Sequence, residues 1–296
     1  MNCLQMKIHP RRPKEIRTMT TNTITSAQEA LKAGPAMTPD QMSSEYLSNS
    51  LKELRLKHWS DAMLQDLSEM LPAEQGLILR CLNKWAETEK ANRRAQMIAS
   101  KIRSSRFKRV QTIDAFDFSH CKATQAIQKT YLALHQSIAA GNLPSAVFTG
   151  TAGMGKTHLA RALGYAACQK GISALFVTAA EMVNQLSHAQ KAFNLESELN
   201  KYRRPQVLII DELGYVQLDA QASNLFFQVI SARHDQGLGT IATTNLPFGK
   251  FNQIFANDAI AHAIVDRLVN EADVFFMEGA SYREHQREQK QKTKAK

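Results

Sequence analysis

The sequence of 296 residues has little cysteine and no apolar run long enough to cross a membrane. A transmembrane helix needs about 20 consecutive apolar residues, and a secretory leader needs an apolar run behind its basic residues. Neither pattern occurs, which predicts a cytoplasmic protein without a membrane partner. The cysteines form no C-x-x-C pair and no metal-ligand spacing, which predicts reduced thiols. They are Cys3, Cys81, Cys121 and Cys168.

Acidic residues are also scarce, because 27 Asp and Glu stand against 37 Lys and Arg, for a net charge of +10. The excess lies in residues 1–18, 80–109 and 283–296, which carry net charges of +4, +8 and +4. Clustered basic charge is typical of proteins that bind a polyanion such as nucleic acid. The alternative is a solvated helix face with two charged tails.

The apolar pattern divides the chain into a helical part and an α/β part. The hydrophobic content of 44% and the length are sufficient for about two domains. Leu47, Leu51 and Leu54 share one helical face, and the Ser60-Asp61 pair would cap a second helix. Alternating strand and helix signals after residue 119 predict a parallel sheet. Its five strands are expected at residues 145–149, 173–178, 207–211, 240–244 and 274–277.

A glycine-bearing loop follows the first of these strands. Residues 150–157, GTAGMGKT, match G-x-x-x-x-G-K-[ST], in which backbone N–H groups and a helix N-terminus cradle the phosphates of a nucleotide. Lys156 would reach the β and γ phosphates, and Thr157 would hold Mg²⁺. The predicted nucleotide-binding residues of this loop are Gly150, Gly153, Met154, Gly155, Lys156, Thr157 and His158.

Polar residues that end later strands complete the predicted site. Asp211, after the apolar run VLII, would bind the nucleotide's Mg²⁺, and Glu212 would polarise the water that attacks the γ-phosphate. Asn245 ends TIATTN and would orient that water, unless it is an ordinary turn residue. Arg267 lies on a predicted helix. It would reach a neighbouring subunit as an arginine finger, and the alternative is a salt bridge with Asp266 or another carboxylate.

Five motifs in order, GMGKTHLARALG, LIIDELGY, TTNLPF, AIVDRLV and GASYRE, resemble the IstB helper ATPases of insertion sequences. These are close kin of the DnaC helicase loaders within the AAA+ superfamily, and the resemblance runs from about Leu51 to Arg283. It implies Walker B roles for Asp211 and Glu212, a sensor 1 role for Asn245 and an arginine finger at Arg267. It also suggests a sensor 2 position at Arg283.

The resemblance implies an AAA+ core that begins at residue 120 and ends at 282, preceded by a small all-α domain. Residues 1–40 are expected to form a disordered tail, 41–106 a basic helical domain that binds DNA or a partner, and 107–119 a connector. Residues 283–296 are expected to form a basic tail. Because about 19 residues follow the last strand, the helical lid is expected to be truncated or absent.

Basic side chains in two regions are candidate phosphate contacts, and for each the alternative is ordinary solvated charge. The first region is the basic helical domain, and the second precedes the strand at 207–211, where the resemblance implies DNA contact. The candidates are Arg93, Arg94, Lys101, Arg103, Arg106, Lys191, Lys201, Arg203 and Arg204.

The function implied by the resemblance is an ATP- and Mg²⁺-dependent helper of transposition. It would assemble on duplex DNA as a ring or helical homo-oligomer, assist target-site selection and stimulate a separate transposase. Three alternatives remain open: a DnaC-like loader of a replicative helicase, a kinase that transfers the γ-phosphate to a small molecule, and a binding module with negligible turnover.

Overall fold

The computed structural model describes residues 43–279 and 281–282. Its contacts divide the chain between Arg93 and Arg94 into two compact units. The predictions made for residues 1–40, for Arg283 and for the basic tail lie outside the described residues. Within the described residues, no helix is both long and apolar enough to cross a membrane.

The first unit contains helices α1 (Ser44–Glu53), α2 (Lys57–Ser68) and the start of α3 (Pro72–Ser104). The hydroxyl of Ser43 caps α1 by accepting the Tyr46 N–H at 3.1 Å, as a serine N-cap should. Burial of the predicted leucine face is confirmed. The core of this unit consists of Leu47, Leu51, Leu54, Leu67, Leu79 and Ala86.

The predicted cap of the second helix is wrong. Helix α2 already begins at Lys57, and Leu56 at its N-cap makes no side-chain capping hydrogen bond. Ser60 is fully buried inside the helix, where its hydroxyl donates to Ser48 Oγ on α1 at 3.0 Å. A serine hydroxyl can bond locally or at a distance, and here the contact between helices takes the place of the cap.

The second unit contains a five-stranded sheet in the order β2-β3-β4-β1-β5, with every neighbouring pair parallel. The predicted α/β class is confirmed, and each strand lies within two residues of its predicted bounds. The strands are β1 (Ala146–Gly150), β2 (Ala174–Thr178), β3 (Val207–Leu213), β4 (Gly239–Thr244) and β5 (Asp273–Met277).

Helices cover both faces of this sheet, so its strands are apolar on both sides. In β3, Val207 and Ile209 pack with α4 and α5, whereas Leu208 and Ile210 pack with α6, α8 and α9. The helices are α4 (Lys122–Ser137), α5 (Lys156–Gln169), α6 (Ala179–Lys191), α7 (Leu195–Arg203), α8 (Ala220–Asp235) and α9 (Asp258–Val269).

The segment after α3 packs on this second unit. Ser105 is fully buried, and its carbonyl oxygen accepts the N–H of Phe176 on the edge strand β2 at 2.8 Å. Arg106 then adopts a positive φ of 60° in the turn that follows α3. Two single-turn 3-10 helices, Ile113–Ala115 and Phe118–His120, follow within the segment predicted as a connector.

Candidate nucleotide-binding site

The glycine-bearing loop joins β1 to α5 at the carboxyl edge of the sheet. Gly150 has a φ of 135°, and a Cβ there would collide with the backbone carbonyl of Met277 on β5. Gly155 is the N-cap of α5 with a φ of 91°, and a Cβ there would meet the ring of Phe116. Both positions therefore require glycine, and the loop turns its backbone toward the N-terminus of α5, where anions bind.

Lys156 begins α5 and is largely buried, with 9% of its surface exposed. Its Nζ donates to the carbonyl oxygens of Gly150 and Thr151, each at 2.7 Å. The loop therefore holds the ammonium group beside the position that a phosphate of a bound nucleotide would occupy.

The carboxylate of Asp211, near the end of β3, lies beside the start of α5. Its Oδ1 accepts the hydroxyl of Thr157 at 2.8 Å and the hydroxyl of Thr243 on β4 at 2.6 Å. Asp211 is 3% exposed, and no ion pair joins it to another described residue. A buried carboxylate beside a hydroxyl suits Mg²⁺, which binds through one or two protein oxygens together with substrate phosphates.

Glu212 and Asn245 extend from the same edge of the sheet. Glu212 is exposed and has a φ of 60°, an unusual value for a residue other than glycine. Asn245 directly follows β4 and is also exposed, with its amide oxygen beside Gly214. The structure thus brings together the loop, both carboxylates and Asn245, as expected for strands whose carboxyl ends meet in a parallel sheet.

Arg267 lies in the last turn of α9, away from this group. Its Nη1 donates to the carbonyl oxygen of Ala263 at 3.1 Å, and its guanidinium carbon lies 4.9 Å from the ring centroid of Phe227. Within the described part of the chain it forms no ion pair with Asp266, and its buried Nε has no hydrogen-bond partner.

A cavity beside Arg267 shows at which edge of the sheet this residue lies. Ser145 and Thr240, at the amino ends of β1 and β4, line the same cavity as Arg267. Lys156 follows the carboxyl end of β1. Because β1 contains five residues and a strand rises about 3.3 Å per residue, the two edges lie roughly 16 Å apart. Arg267 and Lys156 are therefore at opposite edges of the sheet.

A small cavity beside the loop was missed by sequence reasoning, which treated residues 107–119 as a connector. Its aromatic walls include Phe116 against His158, with ring centroids 5.3 Å apart, and His120 against Tyr282, at 4.8 Å. Met154 from the loop also lines it. Flat, apolar walls next to a phosphate-binding loop suit the base of a nucleotide.

Arg161 was also missed. Its guanidinium carbon lies 4.3 Å from the ring centroid of Phe176, and its Nη1 donates to Gln111 Oε1 at 3.3 Å. Burial lowers the pKa of Arg161, and the nearby carboxylates of Asp211 and Glu212 oppose that change. A second cation thus lies within electrostatic reach of the carboxylate pair.

The candidate phosphate contacts divide into two groups. Arg93 pairs with Glu89 at 2.6 Å, Lys201 with Glu198 at 2.5 Å, and Arg203 with Glu196 at 3.0 Å. The remaining six form no ion pair with another described residue. These are Arg94, Lys101, Arg103, Arg106, Lys191 and Arg204.

The sheet order, the loop after β1 and the acidic end of β3 define an α/β P-loop protein of the AAA+ type. The crystal structure of the DnaC helicase loader shares this fold, with a TM-score of 0.50 and 19% identity over 57% of this chain and 96% of that chain. The chain belongs to the family of IstB-like ATP binding proteins, whose model matches residues 49–290.

Two relatives come from insertion sequences and are named as ATP-binding proteins. That of insertion sequence IS5376 from Geobacillus stearothermophilus is 35% identical over 70% of this chain and 82% of its own length. That of insertion sequence IS232 from Bacillus thuringiensis subsp. berliner is 32% identical over 81% of this chain and 95% of its own length. The predicted IstB family is therefore confirmed.

Proposed function

We propose that this chain is an ATP-dependent DNA-binding helper of transposition that oligomerises on duplex DNA, assists target-site selection and stimulates a separate transposase. Membership of the IstB-like family and relatives from insertion sequences support the transposition context. The observation that carries the ATP-switched assembly is the position of Arg267 at the sheet edge opposite the phosphate-binding loop.

The residues at the carboxyl edge have distinct roles in hydrolysis. The loop N–H groups and Lys156 bind the phosphates, and the aromatic cavity takes the adenine. Thr157 and Asp211 would hold Mg²⁺, which would neutralise charge on the transferred phosphoryl group. Glu212 polarises the attacking water, and Asn245 orients it. All these groups come from one chain.

Arg267 completes the site of a neighbouring subunit. It lies at the edge of the sheet opposite its own loop, and the length of β1 separates these edges by roughly 16 Å, so it does not reach a phosphate bound in that loop. Its stack on Phe227 supports the guanidinium at the amino edge, and its buried Nε is a donor that no described residue satisfies. Hydrolysis therefore depends on assembly, because each site needs an arginine from the next subunit.

Basic side chains provide the DNA contacts. The unpaired cations of α3 and the segment after it provide most of the affinity, because a lysine or arginine already paired with a carboxylate releases fewer counterions when it meets a phosphate. Arg94→Ala is expected to weaken DNA binding and to reduce the salt slope by about 1. The adjacent Arg93→Ala, which removes a cation paired with Glu89, is the matched control with a smaller effect.

The decisive experiment is sedimentation of the protein with duplex DNA in ATP, in ADP and without nucleotide, at two salt concentrations. ATP-dependent, salt-sensitive assembly that is lost in Arg267→Ala supports the proposal. A monomer indifferent to ATP and DNA would overturn it and favour a kinase, which an assay with small-molecule phosphate acceptors would test.

Two further measurements separate the alternatives. Glu212→Gln should trap an ATP-bound, DNA-bound oligomer. Normal ATP hydrolysis by that variant would show that Glu212 is not the residue that polarises the attacking water. Capture of a replicative helicase rather than a transposase in a pull-down would instead identify a helicase loader.

A further inference from the structure

The pairing between β3 and β4 is irregular beside the two carboxylates. Ile210 pairs with Ala242, and Leu213 pairs with Thr244, so that Asp211 and Glu212 together face a single residue, Thr243. Two residues opposite one is a β-bulge, a device that redirects side chains and is common next to active sites.

One hydroxyl group fills this bulge. Thr243 Oγ1 donates to Asp211 Oδ1 at 2.6 Å and accepts the backbone N–H of Glu212 at 3.0 Å. Thr243 is 2% exposed, so water does not compete freely for either bond. The N–H of Glu212, which a regular ladder would pair with a backbone carbonyl, is satisfied by this side chain.

The backbone of Glu212 needs such support. Its φ of 60° is strained for a residue with a Cβ, and such a conformation persists only where the surrounding structure holds it. The direction of the Glu212 side chain follows from this backbone conformation. Loss of the Thr243 hydroxyl would release both the Glu212 N–H and one bond to the Asp211 carboxylate.

Thr157 shares the same carboxylate oxygen at 2.8 Å. In the proposed function, the Thr157 hydroxyl would serve as a ligand of Mg²⁺ and would then no longer donate to Asp211. Thr243, which comes from the sheet and not from the loop, keeps its bond to Asp211 in both states. It can therefore hold the carboxylate in one orientation before and after nucleotide binds.

We propose that Thr243 is a positioning residue that fixes the Mg²⁺-binding carboxylate of Asp211 and the backbone of Glu212 through one hydroxyl group. Its effect on hydrolysis rests on the proposed function. The positioning itself belongs to the nucleotide-free protein and is measurable there.

The test compares Thr243→Val, which keeps the shape and removes the hydroxyl, with Thr243→Ser, which keeps the hydroxyl. Amide hydrogen exchange of Glu212 in the nucleotide-free protein should be about tenfold faster in the valine variant and close to wild type in the serine variant. Thr244→Val is the matched control, because the Thr244 hydroxyl accepts the Leu246 N–H and does not contact Glu212.

Mg²⁺ dependence provides the second measurement. The Mg²⁺ concentration for half-maximal binding of ADP should rise by about 10–100-fold in Thr243→Val, as for other residues that orient a metal ligand, and Thr243→Ser should restore it. ADP affinity without Mg²⁺ should stay within about twofold, because the loop contacts are unchanged. The kcat for ATP should fall with little change in KM.

Unchanged Glu212 exchange in Thr243→Val would overturn the inference, as would an unchanged Mg²⁺ requirement. A wild-type protein that binds ADP with Mg²⁺ and never hydrolyses ATP would instead overturn the proposed function. In that case the exchange and Mg²⁺ measurements would still decide the role of Thr243.

Discussion

Each edge of the sheet contains a buried cation that donates hydrogen bonds to backbone carbonyls. At the carboxyl edge, Lys156 donates to two carbonyl oxygens of its loop. At the amino edge, Arg233 is fully buried and donates to the carbonyls of Tyr202, Pro205, Gln206 and Gly239 and to the hydroxyl of Thr240.

The two cations differ in what surrounds them. Arg233 uses all five of its N–H groups inside the protein, so it joins the start of β4 to the segment before β3 and leaves no donor for a ligand. Burial lowers the pKa of Arg233. Lys156 lies in a glycine loop at a helix N-terminus. Arg233 therefore stabilises the fold, whereas Lys156 is the residue proposed to bind phosphate.

The largest expected effect concerns a third cation, Arg267. It lies at the amino edge of the sheet, as Arg233 does, but its proposed role is catalytic. Arg267→Ala should reduce ATP hydrolysis by about 10³-fold or more, because an arginine finger stabilises charge on the transferred phosphoryl group. Nucleotide affinity and the free energy of unfolding should change little. Steady-state hydrolysis and equilibrium unfolding measure these quantities.

Mixing provides the control for this prediction. Lys156→Ala subunits keep Arg267, and Arg267→Ala subunits keep an intact loop, so a mixture should recover hydrolysis that neither variant has alone. Failure to recover activity, with assembly intact, would contradict action between subunits.

The next effect is on stability. Arg233→Met leaves several buried carbonyl groups without donors and should lower the free energy of unfolding by about 3–5 kcal/mol, measured from urea denaturation. Arg233→Lys keeps the charge with three donors instead of five and should lose less. An unchanged unfolding midpoint in Arg233→Met would mean that this cation does not support the amino edge.

Lys156→Ala, in contrast to Arg233→Met, should affect ATP binding more than stability. ATP affinity should fall by about 10–100-fold, because one charged contact with phosphate is lost. Equilibrium binding of a fluorescent ATP analogue measures this loss. The free energy of unfolding should fall by about 1–2 kcal/mol, less than in Arg233→Met, because only two carbonyl oxygens lose a donor. A loss equal to that of Arg233→Met would remove the distinction between the two cations.

The smallest effect tests one bond of the amino-edge network. Thr240→Val removes the acceptor of the Arg233 Nε bond, which is 3.1 Å long, and should cost about 1 kcal/mol in unfolding free energy. Thr240→Ser keeps the hydroxyl and should resemble wild type. A loss in Thr240→Ser with no loss in Thr240→Val would instead assign the effect to the threonine methyl group.

Patterns of neighbouring residues were sufficient to predict which residues lie at the carboxyl edge of the sheet. The phosphate loop is contiguous, and Asp211, Glu212 and Asn245 each follow an apolar run that is visible in the sequence. Parallel topology then brings these ends together. The confirmed strands and family follow from the same local signals.

Residues that depend on tertiary contacts were not predictable in this way. Arg233 has the sequence pattern of an ordinary basic residue in the last turn of a helix. Phe116 and Tyr282 line one cavity although more than half of the chain separates them. The prediction for Ser60 was wrong because a distant hydroxyl competed with a local cap. The Glu198 to Lys201 pair has i, i+3 spacing, a visible signal that predicts compensated charge on a helix.

The hydrogen bond from Phe176 to Ser105 also bears on solubility. Strand β2 lies at an edge of the sheet, where an unpaired row of N–H and C=O groups invites a strand from another molecule. The Ser105 carbonyl, in the turn after α3, already accepts the Phe176 amide of this edge strand. A strand from another copy of this protein therefore cannot bond to the Phe176 amide. This limits aggregation by addition of strands to β2.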